Sequence, residues 1–394
     1  MNDLNGLISF CTGCGLCHSL CGTAFHKDKN GFLYPDLDKS NIDVLTELCP
    51  YGGKASVFAD ANSVWGKYQQ VFLGWSLDDY IRKTASSGGI LTAICCYLLE
   101  NNIVDGIIQT KVSSKIPYET ETVVSKTKAQ VLQCMGSRYS ESQPLKNIIE
   151  ILNTDKTYAF VGKPCDASVL RLFLKTRPEY RNKVKYIFSF FCAGVPSEHA
   201  QHKLLEELGC QDINDCSTMT YRGNGWPGFA SAIKKDGTVS QISYSDSWGK
   251  ILGRDVRRSC RFCIDGVGEA ADIACGDAWY LTDDKKPDFR EKDGRNVVFA
   301  RSETGKELLS EIQEAHIIAL EDYQNSADDL YYIQKYQYER KASMLSMINA
   351  LKLFRKDYPR YDKKILKSYA KLIPCMVRFK RFAGTIKRIK KGKI

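Results

Sequence analysis

The sequence predicts an α/β protein made of a small cysteine-rich head, a mixed α/β domain and a basic helical tail. Three observations support this division: closely spaced cysteines near the start, short β-branched or aromatic runs alternating with helical stretches in the middle, and clustered lysine and arginine at the end. We place the boundaries at residues 1–62, 63–320 and 321–394.

The composition is that of an ordinary globular protein. Of the 394 residues, 43% are hydrophobic, which is enough for a proper core. The apolar runs at 90–99 and 186–195 are far shorter than the roughly 20 residues that span a bilayer. The first residues have neither the basic patch nor the apolar core of a secretory signal. We therefore expect a cytoplasmic protein without a transmembrane helix.

The 16 cysteines are the most informative part of the composition. In a reducing compartment, clustered cysteines more often bind a metal than form disulfides. The net charge of +10 could suggest a nucleic-acid partner, but much of the excess lies after residue 354. The body of the protein is closer to neutral, and we expect no nucleic-acid partner for it.

The cysteines of the head have the spacing of an iron-sulfur site. Cys11, Cys14 and Cys17 stand three residues apart on a loop with two glycines, and Cys49 follows beside a proline. Ferredoxins hold a 4Fe-4S cluster with three closely spaced cysteines and a later one. A zinc site also takes four cysteines, but zinc motifs tend to come as two separate pairs. We predict that the head is a ferredoxin-like 4Fe-4S domain, and the role of Cys21 stays open.

The middle of the chain predicts an open sheet with ligand-binding loops. The predicted elements are a helix over 90–100 and strands over 71–75, 158–162 and 186–191. Several strands end in loops rich in Gly, Pro or Ser, where open sheets usually bind ligands. Cys165 and Cys192 lie in two of these loops. The sheet could bring them together with the Cys260 and Cys263 pair, which needs partners to form a site.

Seven motifs stand in order along this middle domain. They are ASSGGILTA at 85–93, GSRYS at 136–140, VGKPC at 161–165, FCAGVPS at 191–197, YRGNGWPG at 221–228, CRFCID at 260–265 and ADIACGDAW at 271–279. With the head, they resemble the beta-subunit family of coenzyme F420 hydrogenases and dehydrogenases. That family also includes reductases of chlorophyll metabolism and bacterial proteins from polysaccharide gene clusters.

The resemblance implies two cofactors. It implies FAD as a prosthetic group, and a second 4Fe-4S cluster whose ligands fall on Cys165, Cys192, Cys260 and Cys263. The mixed α/β domain is then a flavin-binding domain.

Three positions depart from the family pattern. Members that use the deazaflavin often have Lys where this chain has Arg138, and Thr where it has Lys163. Both residues are expected near the flavin, so use of the deazaflavin as substrate stays open. Cys275 replaces a small residue, and we interpret it as a spare thiol rather than an alternative ligand.

Three loops are predicted to bind the flavin. The first precedes an apolar helix, so its N–H groups and hydroxyls could face a phosphate, although Ser86 could instead simply cap that helix. In the other two loops, Arg138 and Lys163 could stabilise negative charge on the reduced ring, unless they are solvated charges of surface turns. The predicted flavin-binding residues are Ser86, Ser87, Gly88, Gly89, Gly136, Ser137, Arg138, Tyr139, Gly162, Lys163 and Pro164.

Trp226 and Arg138 are the candidate catalytic residues. Trp226 stands in a glycine-rich segment that suits neither a helix nor a central strand, and its flat indole could stack on a ring substrate. The alternative is a loop in which Trp226 is a buried hydrophobic plug.

The tail predicts an amphipathic helix. From residue 363 to residue 393, lysine and arginine alternate with Ile, Leu, Phe and Met. An anionic membrane surface is its natural partner and would recruit the protein peripherally to the inner face of the membrane. The alternative is a terminal helix docked on its own domain.

The leading hypothesis is an oxidoreductase in which FAD exchanges electrons with a small organic substrate and with the 4Fe-4S clusters. The clusters would connect the flavin to a ferredoxin or a partner subunit, and an oligomer is an open option. Two alternatives remain: a metal-stapled binding protein that docks on a membrane or nucleic acid without redox chemistry, and an accessory factor in polysaccharide biosynthesis.

Overall fold

The structure is a computed structural model that describes residues 8–38, 46, 48, 49, 57–323 and 330–394. Pro50, which follows Cys49 in the predicted head motif, lies outside the described residues. Strands and helices are numbered along the described part of the chain.

The strands form a hairpin in the head, a large mixed sheet and a small antiparallel sheet. The strands are β1 (Phe25–Lys27), β2 (Leu33–Pro35), β3 (Gln70–Ser76), β4 (Gly106–Val112), β5 (Thr120–Ser125), β6 (Tyr158–Gly162), β7 (Val184–Phe190), β8 (Cys216–Thr220), β9 (Phe229–Lys234), β10 (Val239–Ser243), β11 (Ile273–Asp277), β12 (Asn296–Ala300) and β13 (Ile318–Asp322).

Helices flank the large sheet and make up the tail. They are α1 (Leu16–Cys21), α2 (Asp79–Thr84), α3 (Ile90–Glu100), α4 (Lys128–Gln133), α5 (Ile148–Leu152), α6 (Pro164–Thr176), α7 (Glu198–Glu207), α8 (Arg258–Arg261), α9 (Glu303–Glu314), α10 (Leu330–Ile333), α11 (Lys335–Ala342), α12 (Met344–Leu353), α13 (Lys363–Ala370) and α14 (Cys375–Lys390). Shorter 3-10 turns cover Pro178–Lys183, Ile213–Asp215 and Leu252–Arg254, and Ser245–Ile251 is π-helical.

The large sheet has the order β13-β3-β12-β11-β7-β6-β4-β5. Strands β4, β6, β7 and β11 are parallel neighbours, with Phe160 opposite Ile187 and Phe188 opposite Ile273. The outer strands pair antiparallel on both sides. Parallel strands are covered on both faces, which explains why β6 and β7 are rich in apolar residues rather than alternating.

The core is built on both faces of this sheet. On one face, helix α3 buries Ile90, Ile94 and Leu98 completely, together with residues of α9. On the other face, α5 and α6 pack against β6 and β7. A further apolar cluster joins Phe10 of the head and Met344 of the tail to strands of the sheet, so both ends of the chain share the sheet's core.

The predicted α/β class is confirmed as a large mixed sheet with flanking helices. The helix predicted over 90–100 and the strand over 158–162 have the observed bounds, and the other two strands differ by one or two residues at their ends. The ferredoxin-like head, the flavin-domain layout and the boundaries at 62 and 320 stay predictions.

The tail helix α14 is docked on the protein. It packs against α12 and buries Thr385 and Ile389, while Arg381 binds Glu339 at 3.0 Å. Phe379, near its start, is 65% exposed. This contact agrees with the alternative of a helix docked on its own domain. None of the helices in the described ranges is both long and apolar enough to cross a membrane.

Candidate functional site

A cavity of about 550 Å³ opens at the carboxyl ends of the parallel strands. Its wall includes Gln109 within β4, Gly162 at the end of β6, Phe190 at the end of β7 and Asp277 at the end of β11. Open α/β sheets bind their ligands at this edge. The volume falls within the range of small-molecule and cofactor sites.

The loop before α3 is bonded to the second predicted flavin loop. The hydroxyl of Ser86 accepts a hydrogen bond from the Ser137 N–H, and the hydroxyl of Ser87 donates to the Arg295 carbonyl at 2.8 Å. Gly89, with a φ of 79°, holds the N-cap position of α3. Ser86 therefore does not cap the helix but holds two cavity loops together.

Arg138 lines the cavity and has no carboxylate partner among the described residues. Its guanidinium donates to the carbonyls of Ser137 at 3.0 Å and Met135 at 3.2 Å. Its Nε is buried and has no hydrogen-bond partner among the described residues. Burial lowers the pKa of Arg138, as expected for a cation that is removed from water. An anionic group in the cavity would supply the missing charge.

Two other cations of the cavity wall have carboxylate partners. Lys163 lies 2.8 Å from Asp166, whose carboxylate also accepts the Lys163 N–H at 3.1 Å. Arg222 binds Asp277 through two hydrogen bonds of 2.9 and 3.0 Å. These pairs shape the wall, whereas Arg138 keeps a net positive charge beside the cavity.

Trp226 supports the wall but does not line the cavity. Its side chain is 2% exposed, and its indole N–H donates to Asp277 at 3.0 Å. Its ring stacks on Trp279 with the centroids 4.7 Å apart. Trp279 and Trp248 do line the cavity, so the flat aromatic faces come from residues that the sequence did not single out. The geometry agrees with the alternative of a buried plug for Trp226.

Most of the predicted flavin-binding residues meet at this cavity. All of them except Gly88 and Pro164 lie on its wall. Gly88 packs so closely on Gly74 and Asn296 that a Cβ would lie 2.7 Å from the Gly74 carbonyl oxygen. Pro164 is the first residue of α6. The structure thus brings the three predicted loops together around one space.

The four predicted cysteines of the head surround a small hollow of about 40 Å³. Cys11, Cys14, Cys17 and Cys49 all line it, with apolar side chains completing the wall. Burial raises the pKa of Cys17 to about 12, and the neighbouring Cys11 and Cys49 thiols add to the rise. The thiols therefore lie close enough to influence one another.

Backbone contacts hold the head loop against the main domain. Gly15 has a φ of 90°, and a Cβ there would lie 2.9 Å from the Lys146 backbone nitrogen, so the tight turn requires glycine. The Leu145 N–H donates to the Cys14 carbonyl at 2.9 Å. Arg257, which is fully buried, donates to the Cys11 carbonyl at 2.7 Å.

The second predicted cysteine set is assembled from three parts of the chain. Cys165 is in the first turn of α6, Cys192 follows β7, and Cys260 and Cys263 lie in and just after α8. Burial raises the pKa of Cys192 to about 12; Cys260 adds to the rise and the cation of Arg340 opposes it. The thiol of Cys165 is likewise influenced by Cys192 and Cys263. These four cysteines are therefore neighbours, as the resemblance implies.

The donor chemistry of both sets fits an iron-sulfur cluster. Over the described ranges, no group of three or more His, Cys, Asp or Glu side chains could hold a metal ion. An iron-sulfur cluster takes each thiolate at a separate corner. In the head set, four soft thiols that are half-buried or buried surround one small hollow. Iron binding would also favour the thiolate form that burial disfavours.

Two charged residues each influence a cysteine of both sets. Arg257 influences both Cys11 of the head and Cys260 of the second set. Asp166 influences both Cys14 and Cys165. Since these effects fall off with distance, both sets lie near the same buried charges. Cys192 of the second set also lines the large cavity, as does Asp166.

The start of the tail also contributes to the site, which the sequence did not predict. Gln334 of this segment donates to the Asp277 carbonyl, and Tyr336 donates to the Ala193 carbonyl at 3.2 Å. Gln337 donates to the Cys192 carbonyl at 3.1 Å. All three line the cavity. No local motif marks these residues, because their role depends on contacts with strands more than 50 residues away.

The comparisons with known proteins agree with this arrangement. The profile of the coenzyme F420 hydrogenase/dehydrogenase beta subunit N-terminus matches residues 71–150, and the profile of its C-terminus matches residues 155–326. The two matches together cover well over half of the chain. The chain belongs to this beta-subunit family. The matched residues include the large sheet, the cavity loops and the second cysteine set.

Relatives with assigned names are subunits of F420-dependent enzymes. The coenzyme F420 hydrogenase subunit beta of Methanococcus voltae is 23% identical over 70% of this chain and 92% of its own length. The subunit of the same name from Methanosarcina barkeri is 26% identical over 62% of this chain and 79% of its own length. A chain of the F420-reducing [NiFe] hydrogenase complex from Methanosarcina barkeri, at 22% identity, has the same fold with a TM-score of 0.60 over 77% of this chain and 99% of its own.

Proposed function

We propose that the protein is an iron-sulfur flavoprotein oxidoreductase, in which FAD links two 4Fe-4S clusters to a small organic substrate. The observation that carries the proposal is the position of Cys192, which belongs both to the second cysteine set and to the cavity wall. One residue thus joins a site for one-electron chemistry to a space of cofactor size. Flavin, when bound, supplies the exchange between one-electron and two-electron chemistry.

The residues have separate roles in this proposal. The eight cysteines hold the clusters, with Cys11, Cys14, Cys17 and Cys49 in the head and Cys165, Cys192, Cys260 and Cys263 beside the cavity. Arg138 places an uncompensated positive charge where the phosphates or the reduced ring carry negative charge. Trp248 and Trp279 offer flat faces on the cavity wall for a ring system.

The names of the relatives support an oxidoreductase with an electron-transfer partner. They are subunits of hydrogenases and of F420-dependent enzymes, and the matching solved chain belongs to a multi-subunit complex. We infer that a ferredoxin or a partner subunit exchanges electrons with the head set, because none of the four head cysteines lines the cavity, whereas Cys192 of the second set does.

Anaerobic reduction of the purified holoprotein tests this function. The protein is prepared without oxygen, its flavin is identified, and dithionite is added while flavin absorbance and cluster EPR signals are followed. We expect bound FAD and two one-electron cluster signals in addition to flavin reduction. A protein with a full complement of iron but no flavin, even after incubation with FAD, would contradict the proposed function.

A further inference from the structure

A buried arginine from the tail lies against the second cysteine set. Arg340 of α11 is 6% exposed, and its Nη2 donates to Gln337 at 2.7 Å. Its guanidinium packs directly on Gly266, where a Cβ would come within 1.5 Å of Nη2. Only glycine leaves room for the arginine at this place. The close fit fixes the cation beside the loop that follows Cys263.

The charge of Arg340 lies beside the ring of Tyr336 and near thiols rather than beside a carboxylate. Of the eight predicted ligands, Cys192, Cys260 and Cys263 lie within its electrostatic reach. No Asp or Glu forms an ion pair with it in the ranges that the structure describes. Its Nε is buried and without a hydrogen-bond partner among the described residues. A buried cation with an unused N–H is costly unless a negative group completes its surroundings.

Neighbouring contacts hold this part of the tail in place. Gln337 bonds the Cys192 carbonyl at 3.1 Å on the same side of the helix. Lys341, the next residue after Arg340, forms a fully buried ion pair with Glu269. These two contacts hold the helix that carries Arg340 against the second set.

We propose that Arg340 is a positioning residue that stabilises the reduced form of the second iron-sulfur cluster. The inference rests on the proposed function, because it requires a cluster on Cys165, Cys192, Cys260 and Cys263. Reduction adds one electron and thus one negative charge to the cluster. A fixed cation in a medium of low dielectric stabilises that charge, and an N–H donor to a cluster sulfur acts in the same direction. The reduction potential of the second cluster is therefore raised by this arginine.

The test is a redox titration of the anaerobic full-length protein, followed by EPR. Arg340→Gln and Arg340→Met remove the charge, and Arg340→Lys keeps it. Arg381→Gln is the matched control. Arg381 of α14 binds Glu339, the neighbour of Arg340 in α11, but it is not among the charges that influence Cys192 and Cys260. Iron and acid-labile sulfide are measured for every variant.

We expect both neutral variants to lower one of the two cluster potentials. At fixed solution potential, the ratio of reduced to oxidised second cluster should fall at least tenfold, which is 59 mV for a one-electron couple. Arg340→Lys should lie between these variants and the wild type, and Arg381→Gln should match the wild type. Unchanged potentials in both neutral variants would overturn the inference. Loss of the second cluster in both would also overturn it and assign Arg340 to cluster binding.

Failure of the proposed function and failure of the Arg340 inference give different experimental results. If the wild type itself has only one cluster or none, the proposed function fails, and Arg340 has no cluster to act on. If the wild type has both clusters and the neutral variants titrate like the wild type, only the role of Arg340 is contradicted.

Discussion

The two cysteine sets differ in the charges that surround them. Around the head set, the wall is apolar, and the nearest charges are Asp166 and the Arg257 cation, which is held by Glu141 at 2.7 Å. Around the second set, Arg340 carries a positive charge with no carboxylate partner among the described residues. Two sites with the same ligands can therefore differ in potential, because the protein charge around them differs.

This difference in charge predicts the direction of electron transfer between the two clusters. Asp166 and Arg257 influence cysteines of both sets, so the charge that distinguishes the second set is the Arg340 cation, and a nearby cation stabilises an added electron. We therefore expect the second cluster to have a higher potential than the head cluster. Transfer from the head set towards the cavity would then be favourable, and the opposite ranking of the two potentials would refute this comparison.

Removal of one cysteine ligand from either set has the largest expected effect, the loss of one cluster. Cys17→Ser should lose the head cluster and Cys260→Ser the second one, so that each variant keeps about half of the iron of the wild type. Iron, sulfide and EPR spectra measured anaerobically check this. Cys21→Ser, at an exposed position outside both sets, should keep all of the iron. Loss of all iron in each single variant would show that the two sets do not form independent sites.

Removal of the Arg138 charge separates the flavin site from the clusters. A charge-assisted hydrogen bond contributes about 1.5–3 kcal/mol, so Arg138→Gln should weaken flavin binding roughly ten- to hundredfold. Iron content should not change. Flavin affinity is measured by equilibrium dialysis of the flavin-depleted protein. Arg138→Lys should retain part of the affinity, and Lys128→Gln, which breaks only an exposed ion pair with Glu100, should bind flavin like the wild type.

A substitution at Gly266 tests the effect of the position of Arg340 on the second set while Arg340 itself is kept. In Gly266→Ala, the new methyl group occupies the position of the guanidinium, so Arg340 must shift. Because the displaced guanidinium is buried and closely packed, we expect about 1–3 kcal/mol of destabilisation together with a lower potential of the second cluster. Gly249→Ala, where nothing lies within 4 Å of the added Cβ, is the control. An unchanged potential in Gly266→Ala would indicate that contact between Arg340 and this set is unimportant.

The buried pair beside Arg340 predicts a smaller, pH-dependent effect. Burial raises the pKa of Glu269 to about 7 from an ordinary value of 4.5, although Lys341 opposes the rise. Between these values the folded chain binds more protons than the unfolded chain, so the contribution of Glu269 to stability falls as pH rises through this window.

Thermal unfolding at a fixed scan rate across pH 4.5–7 measures this contribution. Glu269→Gln should be less stable overall, because Lys341 loses its buried partner, but its unfolding temperature should depend less on pH. The exposed Glu314→Gln should keep the pH dependence of the wild type. Equal pH slopes in all three proteins would contradict the assignment.

The sequence predicted those parts of the site whose residues lie close together along the chain. The head set was proposed from spacing alone, because three of its cysteines share one turn and Gly15 is required there by a positive φ. The flavin loops were also predicted: the loop at 86–89 precedes a helix and the loop at 162–164 follows a strand, whereas the loop at 136–139 was predicted from its Gly and Arg. For the second set, the sequence suggested only that the sheet could bring Cys165 and Cys192 to the Cys260 and Cys263 pair. The resemblance implied the ligand set, because its members lie up to 98 residues apart, Cys165 to Cys263.

The remaining parts of the site depend on tertiary packing. Trp226 stands in a segment that suggested a substrate contact, but its indole N–H finds Asp277 and its ring stacks under Trp279. Gln337 and Arg340 precede the basic amphipathic stretch at 363–393, in a part of the tail for which the sequence analysis gave no motif. Nothing local in the sequence predicts that one of its arginines packs on Gly266.

The content of iron, acid-labile sulfide and flavin in anaerobically purified full-length protein shows whether the two cysteine sets hold clusters and whether the cavity holds flavin. Two 4Fe-4S clusters and one FAD require about eight iron, about eight sulfide and about one flavin per chain. A preparation with no sulfide, with or without one zinc per chain, would contradict the claim that the two cysteine sets hold iron-sulfur clusters.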